Sequence, residues 1–166
     1  MTLILSKKYN PLFDSKARYF IITGGRGSGK SFAVTVFLTL LTMTKGIRIL
    51  FTRFTMTSAH LSIIPEFLEK IGLLGFDEVF SINKKEVLNT KNNSDILFRG
   101  IRTSAGNQTA SLKSLQGIST WVLDEAEELV DENIFDTIDL SIREKNIHNR
   151  VILILNPTTK EHWIYK

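Results

Sequence analysis

Gly24-Gly25-Arg26-Gly27-Ser28-Gly29-Lys30-Ser31 packs four glycines, an arginine, a lysine and two serines into eight residues. The spacing satisfies G-x-x-x-x-G-K-[ST] in full. Glycines let the backbone turn so that successive N–H groups point inward at a chain of phosphates. A helix starting at Lys30 adds the positive end of its dipole. Lys30 then reaches the β- and γ-phosphates of a nucleotide, and the Ser31 hydroxyl ligates Mg²⁺. A glycine-rich turn with no ligand is the bland alternative. The complete match between a buried strand and a helix disfavours it.

A second signal lies almost a hundred residues on. Thr120-Trp121-Val122-Leu123 is an apolar run that ends in Asp124-Glu125. Charge directly after a buried strand points at the ligand edge of a sheet. The Asp124 carboxylate suits the hydration shell of Mg²⁺. Glu125, one residue past the strand, suits polarisation of a water for attack on the γ-phosphate. Paired acids of this kind favour hydrolysis over transfer to a second substrate. Glu127, Glu128, Asp131 and Glu132 read instead as the acid-rich first turn of a helix.

A third run, Val151-Ile152-Leu153-Ile154-Leu155, ends in Asn156-Pro157-Thr158. If this strand neighbours the one before the glycine loop, the Asn156 amide emerges beside the phosphates and can sense them. Taken alone, the segment reads equally as an ordinary Asn-Pro turn.

These groups need elements to hold them. Arg18 to Thr23 and Ile47 to Thr52 are short apolar runs and read as buried strands. Lys30 to Thr44 is apolar nearly all round, with Gly46 as a stop signal, and reads as a buried helix. Ser58 to Ile71 has helical spacing at Leu61, Ile64, Phe67, Leu68 and Ile71, and Pro65 predicts a late start or a break. Asp131 to Glu144 has helical spacing at Ile134, Ile138 and Ile142. Between residues 78 and 100, three short strand signals separated by Asn- and Lys-rich turns predict an antiparallel β-meander insertion. The alternation of strands and helices predicts an α/β fold, a mainly parallel sheet flanked by helices.

Composition sets the outer bounds. With 166 residues, 43% hydrophobic and 23% charged, the chain reads as one soluble domain with a self-sufficient core. The cysteine count of 0 excludes disulfide scaffolds, Cys-ligated zinc, iron–sulfur clusters and thiol nucleophiles. A net charge of +4 permits a polyanionic partner without requiring one. Neither a targeting segment nor a membrane span is evident, and the protein reads as cytosolic.

Taken together, the motifs resemble the ATPase domain of the large terminase subunit, the motor that packages DNA into the heads of tailed bacteriophages. Gly24 to Ser31 is similar to its Walker A loop, including the arginine four residues before the lysine. Trp121 to Leu129, with Asp-Glu-Ala-Glu, is similar to its Walker B strand and catalytic glutamate. Ile154 to Thr158, followed by His162-Trp163, resembles its coupling motif, and Leu112 to Ile118 resembles the stretch before the Walker B strand in one branch of the family. The similarity runs from about Arg18 to the end.

The resemblance implies a P-loop NTPase core binding ATP and Mg²⁺ through Gly24, Gly25, Arg26, Gly27, Ser28, Gly29, Lys30 and Ser31. It implies Ser31 and Asp124 at the metal, Glu125 as catalytic base, Arg26 over the phosphates and Asn156 coupling hydrolysis to movement. A solvated loop charge is the rival role for Arg26. Arg53 resembles a family position near the nucleotide. Tyr9 and Phe13 read either as flanks for adenine or as core.

The family implies partners too: double-stranded DNA held without regard to sequence, a portal and a small terminase subunit. It implies a working ring with an arginine donated by the neighbour, a monomer in isolation, and the cytoplasm of the bacterial host. Candidates for the donated charge are Arg102, Lys113 and Arg143. Lys84, Lys85 and Lys91 are visible candidates for DNA contact, although solvated turns account for them more simply. The family's metal-dependent nuclease domain has no counterpart before Lys166, so the chain reads as a single ATPase domain over residues 1–166. Other readings of the same core are a helicase- or recombinase-like ATPase, a nucleotide-dependent assembly switch with little turnover, and a small-molecule kinase.

Overall fold

The computed structural model describes residues 3–56, 59–103, 106–157 and 159–166. Ser58, at the start of one expected helix, and Thr158, in the Asn-Pro-Thr segment, lie outside the described residues. In chain order the elements are α1 (Pro11–Asp14), β1 (Tyr19–Thr23), α2 (Lys30–Leu41), β2 (Arg48–Thr55), α3 (Ala59–Leu73), β3 (Phe80–Asn83), β4 (Glu86–Asn89), β5 (Asp95–Thr103), β6 (Gly106–Asn107), α4 (Thr109–Lys113), β7 (Thr120–Asp124), α5 (Glu132–Asp139) and β8 (Arg150–Leu155). Short 3₁₀ turns lie at Lys7–Tyr9, Ala126–Glu128 and Trp163–Tyr165.

The strands form one sheet in the order β1-β8-β7-β2-β5-β4-β3, with β6 pairing on β5. Pairings from β1 through β5 are parallel; β4 and β3 run antiparallel. The expected meander is therefore present and continues the sheet, because its third strand also pairs with β2. Strand β8 sits between the loop strand β1 and the acid strand β7, with Thr23 opposite Leu155 and Asp124 opposite Ile154.

Side chains alternate across each strand, and this alternation splits the core in two. Ile49, Phe51, Val122 and Ile152 pack with Val34, Phe37 and Leu38 of α2 and Phe67 of α3. Leu50, Trp121, Leu123, Val151 and Leu153 pack on the other face with Leu129 and with Phe135 and Ile138 of α5. A sheet buried on both sides explains why these strands read as unbroken apolar runs. Two of its buried polar side chains satisfy each other: the Trp121 indole N–H donates to Thr52 Oγ1 at 2.9 Å, and Thr52 donates to the Val122 carbonyl at 3.0 Å.

Three elements differ from expectation. Strand β1, read as buried, is the edge of the sheet and leaves Tyr19 and Ile21 exposed. Helix α3 runs on through Pro65 without a break. Pro65 itself is exposed, whereas Ile63, Ile64, Phe67 and Ile71 around it are buried. Their burial outweighs the roughly 3 kcal/mol that an interior proline costs. Helix α5 stops at Asp139, short of the expected Glu144. The Arg18 guanidinium closes that end, donating to the carbonyls of Asp139 and Ile142 and to the Asp139 carboxylate. A cation on the last carbonyls is what a helix C-terminus favours. Among the described residues, no helix is long and apolar enough to cross a membrane.

Candidate active site

The loop between β1 and α2 lies at the C-terminal edge of the sheet, where open α/β sheets bind ligands. Gly27 and Gly29 adopt φ of +73° and +80°, the left-handed region that favours glycine. Gly29 is the N-cap of α2, so the loop delivers its N–H groups at the start of a twelve-residue helix. The loop is also held from outside. Tyr9 donates its hydroxyl to the Ser28 carbonyl at 2.8 Å, and Lys8 Nζ donates to the same oxygen at 3.0 Å.

Lys30 is only 8% exposed. Its ammonium donates to the carbonyls of Gly24 and Gly25, to Ser28 Oγ at 3.3 Å and to Asn156 Oδ1 at 3.3 Å. Asn156 follows β8 directly, and the β1–β8 pairing brings it to the loop.

On the other side of β8, Asp124 ends β7 and is 6% exposed. Arg53 of β2 donates to its Oδ2 through Nε at 2.7 Å and pairs with it through a terminal nitrogen at 2.6 Å. Arg53 Nε also lies 3.7 Å from Glu125 Oε2. Glu125 adopts φ +54°, ψ +46°, a left-handed conformation that costs a non-glycine residue about 1–2 kcal/mol. Strain of this kind gathers at functional sites. Burial pushes the Glu125 carboxyl above its usual value; Arg53 opposes the shift, while Asp124, Glu128 and Glu127 reinforce it.

These groups surround one cavity of about 410 Å³, lined by Arg26, Gly27, Ser28, Gly29, Lys30, Ser31, Phe32, Arg53, Asp124, Glu125, Ile154, Leu155 and Asn156. Every motif residue singled out for chemistry lines it except Gly24 and Gly25, which lie behind it as acceptors for Lys30. Arg26 is exposed at its mouth.

Residues 16–166 match the family model described as phage terminase large subunit. The chain belongs to that family. No curated protein sequence matches it significantly. Solved structures that resemble it include the large terminase of a thermophilic bacteriophage, at TM-score 0.76 and 11% identity over 98% of this chain and 42% of that one. The HK97 bacteriophage large terminase gives TM-score 0.72 and 11% identity, over 98% and 35% of the two chains. The bacteriophage Phi-29 viral genome packaging motor assembly gives 0.65 and 16%, over 99% and 51%. At these identities the likeness carries the fold. Complexes with ADP and with ATP-γ-S of the thermophilic phage's large terminase are among the similar structures. This terminase chain spans about two fifths of the length of the large terminases it resembles.

Tyr9 is a core residue whose hydroxyl pins the loop, and Phe13 packs edge-to-face on Phe37 at 5.1 Å. Arg102 is the penultimate residue of β5, on the cleft side of the sheet and over the Phe54 ring. Lys113 and Arg143 line a separate pocket with Gln116, Gly117 and Ile118, before the N-terminal end of β7. A five-residue strand such as β7 separates the two edges by about 16 Å. Lys84, Lys85 and Lys91 sit in the meander turns.

Glu127 corrects the sequence reading. It lies in the first turn of the short 3₁₀ segment after β7 rather than of α5, and accepts from the backbone N–H of Asn156 at 3.3 Å and from Asn156 Nδ2 at 2.9 Å. Helix α5 begins later, with Asp131 as its N-cap accepting from the Asn133 N–H. The signal available was the spacing Asp124-Glu125-Ala126-Glu127, with Glu125 and Glu127 on either side of an alanine that is wholly buried.

Proposed function

We propose that this chain is the Mg²⁺-dependent ATP-hydrolysing domain of a phage motor that translocates double-stranded DNA into a capsid. One observation carries the reading: a single cleft joins the glycine loop, Lys30 and Ser31 to the Asp124–Glu125 pair and to Asn156. The ADP and ATP-γ-S complexes of a similar large terminase support the choice of nucleotide.

The donors in this cleft fit the metal. The Ser31 hydroxyl and the Asp124 carboxylate are hard oxygen ligands on one cavity, and Mg²⁺ takes few protein ligands beside nucleotide phosphates and water. Arg53 engages only Oδ2 of Asp124, which leaves the second oxygen for the ion's shell. Bound there, Mg²⁺ would offset charge on the β- and γ-phosphates.

The loop N–H groups and Lys30 hold the phosphates. Glu125 accepts a proton from the attacking water, and its raised pKa brings it nearer the working pH, as a general base requires. Arg26, free at the mouth of the cleft, closes over the transferring phosphoryl. Asn156, already bonded to Lys30, reports the γ-phosphate to β8. DNA is held through its phosphates, since a packaging motor must ignore sequence. The domain works in a ring with a portal and a small terminase subunit and is a monomer in isolation.

The test is ATP turnover by the purified chain. Lys30→Ala is expected to abolish hydrolysis, and Glu125→Gln to keep ATP binding while hydrolysis collapses. Turnover unchanged in Lys30→Ala would overturn the assignment.

A further inference from the structure

Asn156 is gripped from two sides. Its side-chain oxygen accepts from the Lys30 ammonium at 3.3 Å, and its side-chain nitrogen donates to Glu127 Oε1 at 2.9 Å. The two partners carry opposite charge and fix the amide between them. Turned over, it would set an oxygen against the Glu127 carboxylate and an N–H₂ against the ammonium, both repulsive. Glu127 Oε1 accepts from the Asn156 backbone N–H as well, at 3.3 Å, so one carboxylate oxygen holds both the main chain and the side chain. The other oxygen, Oε2, is buried and has no hydrogen-bond partner among the described residues. Packing gives no reason to keep a charge there, since a buried oxygen without a donor is unfavourable.

Glu127 also shares a turn with the proposed base. The N–H of Glu128 donates to the Glu125 carbonyl at 2.9 Å, closing the turn that carries both glutamates. An unbroken series of polar contacts therefore runs from the loop carbonyls through Lys30, Asn156 and Glu127 to the backbone that aims Glu125.

We infer that Glu127 is a positioning residue: its carboxylate locks the Asn156 amide toward Lys30 and links that amide to the turn bearing Glu125. The inference rests on the ATP-hydrolysis reading above. Lys30 moves from loop carbonyls to phosphate oxygens when nucleotide binds, and the Asn156 oxygen then answers to the ammonium's position. Glu127 keeps the opposite end of the amide fixed, so the change is transmitted to the Glu125 turn rather than lost in rotation of the side chain.

The test is single-turnover ATP hydrolysis together with ATP-γ-S binding, with Lys30→Ala run alongside. Glu127→Ala is expected to lower the hydrolysis rate by about tenfold or more while the Kd stays within about threefold. Glu127→Gln keeps an oxygen to accept both Asn156 donors and is expected to recover most of the rate. Glu127→Ala combined with Asn156→Ala should be no slower than Asn156→Ala alone, because both remove one contact. Asp131→Ala, which removes only the α5 cap, should lower Tm without this split between rate and Kd. A rate within about threefold of wild type in Glu127→Ala overturns the inference, as does a rate and Kd that weaken together. Should Glu127→Ala not fold, the reversed pair N156D/E127Q decides: faster than N156D alone supports the contact, no faster overturns it. Full turnover in Lys30→Ala would instead overturn the underlying reading, whatever the Glu127 variants do.

Discussion

Arg53→Ala isolates the charge balance on which the acid pair depends. Asp124 sits at the end of a buried strand with its side chain 9% exposed, and its carboxylate is compensated by Arg53 at 2.6–2.7 Å. Removing one partner of a fully buried pair costs about 3–5 kcal/mol, because the remaining charge stays buried without a counter-ion. Arg53 is itself 24% exposed, so water partly replaces it, and the expected loss is about 2 kcal/mol. For a chain of this size that lowers Tm by about 4–8 °C. Urea unfolding near pH 8 should show the gap from wild type directly. Arg53→Ala combined with Asp124→Asn should recover most of the stability, since an amide needs no counter-charge. A double variant as unstable as Arg53→Ala, or a single variant within about 0.5 kcal/mol of wild type near pH 8, would refute the argument.

Hydrolysis should lose activity on acidification earlier than an ordinary glutamate base would allow. Burial raises the Glu125 pKa, and the group works only when ionised, so the acid limb of the single-turnover rate against pH lies above the ordinary glutamate value; a limb at or below that value excludes Glu125 as the base. Tyr9→Phe removes the 2.8 Å bond to the Ser28 carbonyl. Its expected cost is about 1 kcal/mol, read as up to about fivefold weaker ATP-γ-S binding by calorimetry, with Lys8 limiting the loss. Unchanged affinity and Tm would mean that the loop holds its shape unaided.

The parts of this site that sequence could specify are those determined locally. The glycine loop is legible because left-handed backbone and close phosphate approach demand glycine at fixed spacing, as Gly27 and Gly29 bear out. The acids are legible because charge after Trp121-Val122-Leu123 has nowhere to go but the sheet edge. The position of β8 between β1 and β7 is not legible, since a buried strand carries no mark of its neighbours, and the meeting of Asn156 with Lys30 depends on that order. The course of α3 through Pro65 was hidden for a related reason: local propensity argues for a break, and the apolar contacts that override it come from other elements, from α2 and from Phe51 of β2 and Phe98 of β5. Glu127 was placed in the wrong helix because acids in the first turn of a long helix and acids in a short turn after a strand look alike. What separates them is the left-handed backbone at Glu125, which ends the strand and delays α5 until Glu132.

Strand order also explains why two glutamates so close together meet different partners. Strand β7 has β2 on one side and β8 on the other. The register that puts Leu123 opposite Thr52 brings Arg53 of β2 beside Asp124. On the other flank, Asp124 opposite Ile154 brings Asn156 level with the turn after β7. Glu125 therefore meets Arg53, while Glu127, beyond buried Ala126, meets Asn156. The cation to one side and the amide to the other draw the two carboxylates apart. In the proposed mechanism one acid faces the water and the metal and the other is a fixed point outside that field, and an Asp-Glu-Ala-Glu turn on a strand flanked in this way places one carboxylate for each.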